Sequence, residues 1–334
     1  MRVLVMGGTW FLGYTMAEAA VQGGHEVTVF NRGKSGSAPA GVSEVHGDWK
    51  IAADLTRLAN HGPFDLVLDS SGQVPCEVLA GARALSGAGR YVYTSSVSAY
   101  IGWPITPLTE ESEPLPCPSN ADATYGEDDP RGYPTRYGYL KAGCERAVIE
   151  TFGDRAVILR PGVILGVREY VGRLPWWLRR VARGGRVLAP GIPDQPIQVV
   201  DVRDVAAFAL KAGDDGLSGV FNLAAPPRVT FETLLSACRT ETGSSAEFVW
   251  VDDHTLTAHG VRQWTELPLW RTHPGTWRVS WEKAAEAGFT CRPIGQTVAD
   301  TWAWMSSGGT AVASDRASEL GISPEKEQRL LESL

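Results

Sequence analysis

The sequence predicts an α/β protein: a doubly wound parallel sheet with a smaller C-terminal substrate-binding lobe. Strand and helix signals alternate over residues 1–165, the pattern of right-handed βαβ crossovers beneath helices on both faces. The first strand runs straight into a glycine turn and an amphipathic helix, and the chain is long enough for a second lobe.

The first strand is Arg2-Val3-Leu4-Val5-Met6, short and apolar, and the turn after it is Gly7-Gly8-Thr9-Trp10-Phe11-Leu12-Gly13. Glycines let a backbone turn tightly and approach a pyrophosphate. The first helical N–H groups, at the positive end of the helix dipole, then face the phosphate oxygens. The seven residues 7–13 are therefore read as a dinucleotide cradle of Rossmann type, with a plain strand-to-helix turn as the other reading. Trp10 stands where the usual spacing has a glycine.

The second strand, Glu26–Phe30, ends in Asn31-Arg32-Gly33-Lys34, where the ribose end of such a cofactor lies. No carboxylate stands at that strand end, whereas Arg32 and Lys34 suit a 2′-phosphate. NADP is expected over NAD; a solvated basic turn is the alternative. Further strands are read at 42–46, 64–69 and 90–95. Ligands of open parallel sheets lie beyond the carboxyl ends of strands, so Asp48 and Ser70-Ser71-Gly72 are expected to line the cofactor groove. Asp48 either accepts from the adenine amino group or caps the helix beginning near Ile51.

Composition fits a compact enzyme. The 334 residues are 43% hydrophobic with a net charge of −7, which argues against generic nucleic-acid or membrane-surface binding. No apolar run approaches a membrane span and no secretory leader is recognisable, so a cytoplasmic location is expected. Cys76, Cys117, Cys144, Cys238 and Cys291 are scattered and read as reduced thiols, with neither disulfides nor a metal.

The chemistry is read from Tyr137-Gly138-Tyr139-Leu140-Lys141 and from Tyr93-Thr94-Ser95-Ser96-Val97-Ser98-Ala99-Tyr100. On a helix predicted from Thr135 to Phe152, Tyr137 and Lys141 share a face. An ammonium beside a phenol favours phenolate and brings it toward a useful acid/base range. Ser96, beyond the fifth strand, is placed to donate to a substrate oxygen.

These motifs resemble the extended short-chain dehydrogenases/reductases of the NAD(P)-dependent epimerase/dehydratase group. The likeness covers residues 1–225, including Gln198–Val205 and Val220-Phe221-Asn222-Leu223. It implies Tyr137 as catalytic acid/base, Lys141 as its activator and ribose contact, and Ser96, chosen over Ser95 by the Ser-x-x-x-Tyr spacing to Tyr100, as the substrate-oxygen partner. The Gly-Gly-Thr-x-Phe-Leu-Gly opening is similar to an atypical branch that carries a bulky residue at the Trp10 position and includes chloroplast RNA-binding relatives. The segment after Ser96 lacks the Asp-Glu pair of sugar-nucleotide dehydratases, and Gly162 stands where nucleotide-sugar enzymes of the group often have asparagine.

Residues 1–165, with 197–225 returning, are assigned to the nucleotide-binding domain. Residues 166–196 and 226–305 form the substrate lobe, and 306–334 a connector and C-terminal helix begun by Ser323-Pro324-Glu325. The acidic, proline-rich stretch Gly102–Pro134 is read as a rim or lid. The arginines of Arg168–Arg186, around Trp176 and Trp177, either clamp an anion or form a solvated helix face. Trp250, Trp264, Trp270, Trp277, Trp281, Trp302 and Trp304 either wall a pocket or pack a core. His254 and His259 do not share a helix face and make no metal set.

The expected function is an NADP(H)-dependent reductase or dehydrogenase of a small-molecule carbonyl or alcohol. The alternatives are a nucleotide-sugar epimerase with tightly held NAD, and a non-catalytic RNA- or protein-binding relative. The tail is expected to dock on the body or on a partner subunit of a homodimer.

Overall fold

The computed structural model describes residues 1–130 and 132–334. The chain divides into two units. The first comprises Met1–Gly162, Val202–Ala224 and Arg278–Thr290; the second comprises Val163–Asp201, Ala225–Trp277 and Cys291–Leu334.

The first unit holds a parallel sheet of β1 (Arg2–Met6), β2 (Glu26–Asn31), β3 (Ser43–His46), β4 (Leu66–Asp69), β5 (Arg90–Thr94), β6 (Ala156–Pro161) and β10 (Gly219–Leu223). Across the sheet the order is β10-β6-β5-β4-β1-β2-β3. The direction of winding therefore reverses between β1 and β4, the place where doubly wound sheets open a crevice for a ligand. The central strands are buried on both sides, which is why they read as unbroken apolar runs rather than alternating ones.

Alternation along each strand sorts side chains into two layers. Leu4, Met6, Val67, Tyr91, Tyr93 and Ile158 pack with residues of α2 (Ala52–Asn60), α3 (Pro75–Ala84) and α4 (Arg136–Phe152). Opposite them, α1 (Phe11–Gln22) packs with α6 (Val202–Asp214). Thr135 caps α4, its hydroxyl accepting from Gly138 N at 3.4 Å. The expected α4 thus starts one residue later than Thr135, because a cap lies outside the helix it begins.

Residues 278–290, expected in the substrate lobe, pack with the first unit instead. Leu108 N donates to Arg278 O and Ser280 N to Leu108 O, so this stretch lies along the Gly102–Pro134 segment. Val279 and Trp281 join Val97, Tyr100, Leu108 and Ala224 in a small apolar cluster. The short helix α9 (Glu282–Glu286) follows beside β10. Such a return crosses long stretches of sequence and leaves no local periodicity to read.

The second unit has two parallel pairs, β7 (Ile164–Leu165) with β9 (Val200–Asp201) and β8 (Arg186–Pro190) with β11 (Glu247–Val251). Around them lie α5 (Arg173–Ala182), α7 (Phe231–Thr242), α8 (Asp253–Ala258), α10 (Ile294–Ser306), α11 (Asp315–Ser318) and α12 (Pro324–Glu332). Trp177 is fully buried, with its ring against Phe231 and its Nε1 donating to Pro268 O at 2.8 Å. Trp270 and Trp277 are core residues, and Trp250, Trp264 and Trp302 pack onto the same core. Arg173 and Arg180 are not on a solvated face: both are buried, paired with Glu169 and Glu327. Ser323 caps α12 and the Glu327–Arg180 pair holds the helix on α5, so residues 306–334 belong to this unit. Among the described residues, no helix is long and apolar enough to cross a membrane, and no three His, Cys, Asp or Glu side chains gather as metal ligands.

Candidate functional site

The site lies at the carboxyl ends of β1, β4 and β5. Gly8 has φ +61°, and a β-carbon there would lie 2.3 Å from Val29 Cγ1 on β2, so conformation and space both demand glycine. At Gly13 a β-carbon would lie 2.8 Å from the Gly8 backbone nitrogen and 2.8 Å from Ser70 Oγ. The turn of residues 7–13 and the Ser70-Ser71-Gly72 turn are thus pressed together. Trp10 is the N-cap of α1 with φ −135° and ψ 131°, extended backbone that needs no glycine, and its ring is 39% exposed. No side-chain hydrogen bond from Trp10 caps α1, and its first turn has no acidic residue.

Asp69, at the end of β4, shapes the second turn. Its Oδ1 accepts from Ser71 N and Gly72 N, both at 2.9 Å, and its Oδ2 from the Tyr91 hydroxyl at 2.9 Å. Burial raises its carboxyl above the ordinary range, an effect that these bonds and Lys141 oppose.

Lys141 and Tyr137 sit on one face of α4 in contrasting surroundings. Lys141 is only 3% exposed, whereas Tyr137 is 44% exposed, and the ammonium lies 6.0 Å from the Tyr137 ring centroid. Lys141 Nζ donates to Gly72 O at 3.0 Å, to the Tyr93 hydroxyl oxygen at 3.0 Å and to Thr94 O at 2.9 Å. The Tyr93 hydroxyl in turn donates to Gly72 O at 2.9 Å. Burial pushes the Tyr93 phenol well up, so it stays a neutral donor. Tyr93, Thr94 and Asp69 had no role in the sequence reading; Tyr93 and Asp69 sit at strand ends that it did mark.

The two serines differ. Ser95 is buried, and its hydroxyl donates to Glu145 Oε1. Ser96 begins a short 3₁₀ turn, Val97–Ala99, with its Oγ accepting from Ser98 N at 3.1 Å. A β-carbon at Gly138 would lie 2.3 Å from Ser98 O, so glycine beside Tyr137 lets α4 approach the Ser96 turn closely. Glu145 also pairs with buried Arg160, whose guanidinium lies 4.2 Å from the Tyr100 ring centroid. The Tyr100 hydroxyl donates to Asn222 Oδ1 at 2.8 Å. Glu145 stands one helical turn after Lys141, a spacing that could have marked it.

At the carboxyl end of β2, Asn31 is buried and Arg32 and Lys34 are exposed. Asn31 Nδ2 donates to Glu44 Oε2 at 2.9 Å, and Asn31 Oδ1 accepts from Gly33 N at 2.6 Å. The adjacent strand β3 therefore brings a carboxylate to this turn, which local sequence at the end of β2 does not reveal. Asp48 Oδ1 accepts from Lys50 N at 3.1 Å and its backbone N–H donates to Asp54, placing it in the turn before α2.

No known family profile matches the chain. It is 28% identical over 253 residues to the chloroplast stem-loop binding protein of 41 kDa b of Arabidopsis thaliana, covering 71% of this chain but only 62% of that protein's length. It is 23% identical over 354 aligned positions to the UDP-glucose 4-epimerase of Corynebacterium glutamicum, covering 92% of this chain and 97% of the epimerase. With the 2-alkyl-3-oxoalkanoate reductase of Stenotrophomonas maltophilia it shares 28% identity over 229 residues, 63% of this chain and 64% of the reductase. Among solved structures, a UDP-glucose 4-epimerase superposes with TM-score 0.69 at 16% identity, covering 93% of this chain and 99% of that one. The Bordetella bronchiseptica enzyme WbmG in complex with NAD superposes with TM-score 0.66 at 19% identity, covering 93% and 96%.

The fold is thus that of the extended short-chain dehydrogenases/reductases of the NAD-dependent epimerase/dehydratase group. The resemblance read from the sequence is borne out: this chain's relatives include both an epimerase and a reductase.

Proposed function

We propose that the protein is an NADP(H)-dependent oxidoreductase acting on a small-molecule carbonyl or alcohol. The observation that carries this reading is the pairing of the exposed Tyr137 ring with the buried Lys141 ammonium, 6.0 Å from its centroid. Lys141 is bonded to the second of two abutting turns, residues 7–13 and 70–72, through Gly72 O. Those turns suit a dinucleotide: Gly8 and Gly13 let them pack tightly against β2 and against each other, and the first turn of α1 has no acidic residue. Gly7 to Gly13 and Ser70 to Gly72 would hold the pyrophosphate side, Asp48 the adenine, and Arg32 and Lys34 the 2′-phosphate.

A bound nicotinamide supplies or accepts the hydride. The chain's own residues handle the proton. Tyr137 Oη gives a proton to the carbonyl oxygen in reduction and takes it back in oxidation. Lys141 stabilises the phenolate by its charge and takes the ribose contact by releasing one of its three bonds to the protein, and Ser96 Oγ donates to the same substrate oxygen and fixes its position. Lys141 is held ready for this by Gly72 O, Tyr93 and Thr94 O. The test is NADPH consumption with a panel of carbonyl compounds; turnover equal in wild type and Tyr137→Phe would reject the assignment.

A nucleotide-sugar epimerase with retained NAD is the second reading, favoured by the match along 97% of the Corynebacterium epimerase. NAD released on denaturing the purified protein would support it. The chloroplast relative's name raises stem-loop binding, against which the net charge of −7 stands.

A further inference from the structure

We propose that Tyr93 is a positioning residue that competes with the nicotinamide ribose for the Lys141 ammonium and so keeps the cofactor exchangeable; the proposal rests on the dinucleotide reading above. An oxidoreductase exchanges its cofactor at each cycle, whereas the epimerase reading has NAD retained. A firm hold on the ribose suits only the second.

An ammonium has three hydrogens to donate and accepts nothing. Lys141 gives its three to Gly72 O at 3.0 Å, the Tyr93 hydroxyl oxygen at 3.0 Å and Thr94 O at 2.9 Å, so it holds a ribose hydroxyl only after letting one of these go. The side chain is buried, and a bond given up there is not made good by bulk water.

The three acceptors are not equal. The Tyr93 hydroxyl donates to Gly72 O at 2.9 Å, and the two keep that bond when the ammonium leaves either of them. Burial holds the Tyr93 phenol in its protonated form, so the donation persists at neutral pH. The ammonium therefore gives up one of this pair and stays on Thr94 O. Without the Tyr93 hydroxyl the balance changes: the ammonium keeps Gly72 O and Thr94 O, and its third hydrogen meets the ribose with nothing to displace. Tyr93 thus weakens the hold on the cofactor by about one hydrogen bond, acting through Lys141. Its ring is a core residue packed beside Tyr91, Cys144 and Val148, which Tyr93→Phe preserves.

The test is titration with NADPH and NADH by nicotinamide fluorescence, beside calorimetric titration with 2′,5′-ADP and 5′-AMP, fragments that lack the nicotinamide ribose. Tyr93→Phe should bind the preferred dinucleotide about tenfold more tightly than wild type and release it more slowly in stopped flow, with fragment affinities unchanged. Tyr93→Met, which also lacks the hydroxyl, should tighten binding of the dinucleotide too. On a Lys141→Met background, Tyr93→Phe should leave cofactor affinity where it was. If Lys141→Met binds the dinucleotides more weakly than wild type but Tyr93→Phe binds them no more tightly, the proposal is overturned and the ribose contact stands. Equal tightening toward the fragments also overturns it. Equal affinity of Lys141→Met and wild type overturns the ribose contact itself, and binding of neither dinucleotide by wild type overturns the dinucleotide reading.

Discussion

Glu145 and Arg160 form a buried ion pair, Arg160 Nε donating to Glu145 Oε1 at 2.8 Å, immediately behind the Ser96 turn. Ser95 binds the same carboxylate oxygen, and Tyr100, at the far end of the turn, packs under the Arg160 guanidinium. The turn that presents Ser96 is therefore gripped before and after it. Lys141 adds a third hold through Thr94 O, so α4 carries both Tyr137 and the fixtures that set its distance from Ser96.

Substitutions at the two serines should separate positioning from chemistry. Ser95→Ala removes a donor from a buried carboxylate and should lower stability by about 1–3 kcal/mol. Ser96→Ala should leave stability nearly unchanged, because it removes only the cap of one short turn, and reduce turnover instead. Arg160→Met, which strands Glu145, should cost about 3–5 kcal/mol. Chemical denaturation with matched turnover measurements checks all three; a Ser95→Ala variant with full stability would refute the assigned role.

Tyr137→Phe should reduce turnover by about 10²–10⁴-fold, the usual contribution of an acid/base group, with the fold intact because the ring is already exposed. Cofactor affinity, followed by nicotinamide fluorescence, should change little. Near-wild-type turnover would mean that another residue moves the proton.

Lys141→Met should behave differently, lowering turnover, cofactor affinity and stability together. Gly72 O and the Tyr93 hydroxyl keep their bond to each other, but Thr94 O loses the ammonium, and leaving that buried acceptor without it should cost about 1–3 kcal/mol. A thermal melt identical to wild type would show that these bonds hold nothing in place.

What the sequence could reveal followed the reach of its signals. Each strand from β1 to β5 lies within a residue or two of its predicted position, because buried parallel strands are apolar runs bounded by glycine and polar turns. The Thr135 cap and the Tyr137–Lys141 face were readable from local spacing. Contacts brought together by the sheet were not. Glu44 reaches Asn31 only through β2–β3 pairing, Arg160 reaches Glu145 only through β6 packing on α4, and Val279 pairs with Leu108 across about half the chain. The late tryptophans had two readings in sequence, and burial decides for core packing at Trp270 and Trp277.

Asp69 supplies a pH dependence whose sign follows from burial. Desolvation raises its carboxyl in the folded protein above the unfolded value. The stabilising contribution of its protonated form is therefore fully present below the ordinary carboxylate value of about 3.9 and is lost as pH rises through the folded value. Asp69→Asn removes the ionisation and keeps the two backbone bonds, the amide oxygen accepting from Ser71 N and Gly72 N; it reverses the third, since the amide NH₂ can only donate to the Tyr91 hydroxyl oxygen, a cost that does not vary with pH in this range. Tyr91 itself stays neutral, since burial holds its phenol well above the ordinary range. The melting temperature of Asp69→Asn relative to wild type should accordingly rise between about pH 4 and neutrality. Parallel melts of both proteins across that interval measure it. A constant difference would show that the Asp69 carboxyl ionises in the fold as it does in the open chain.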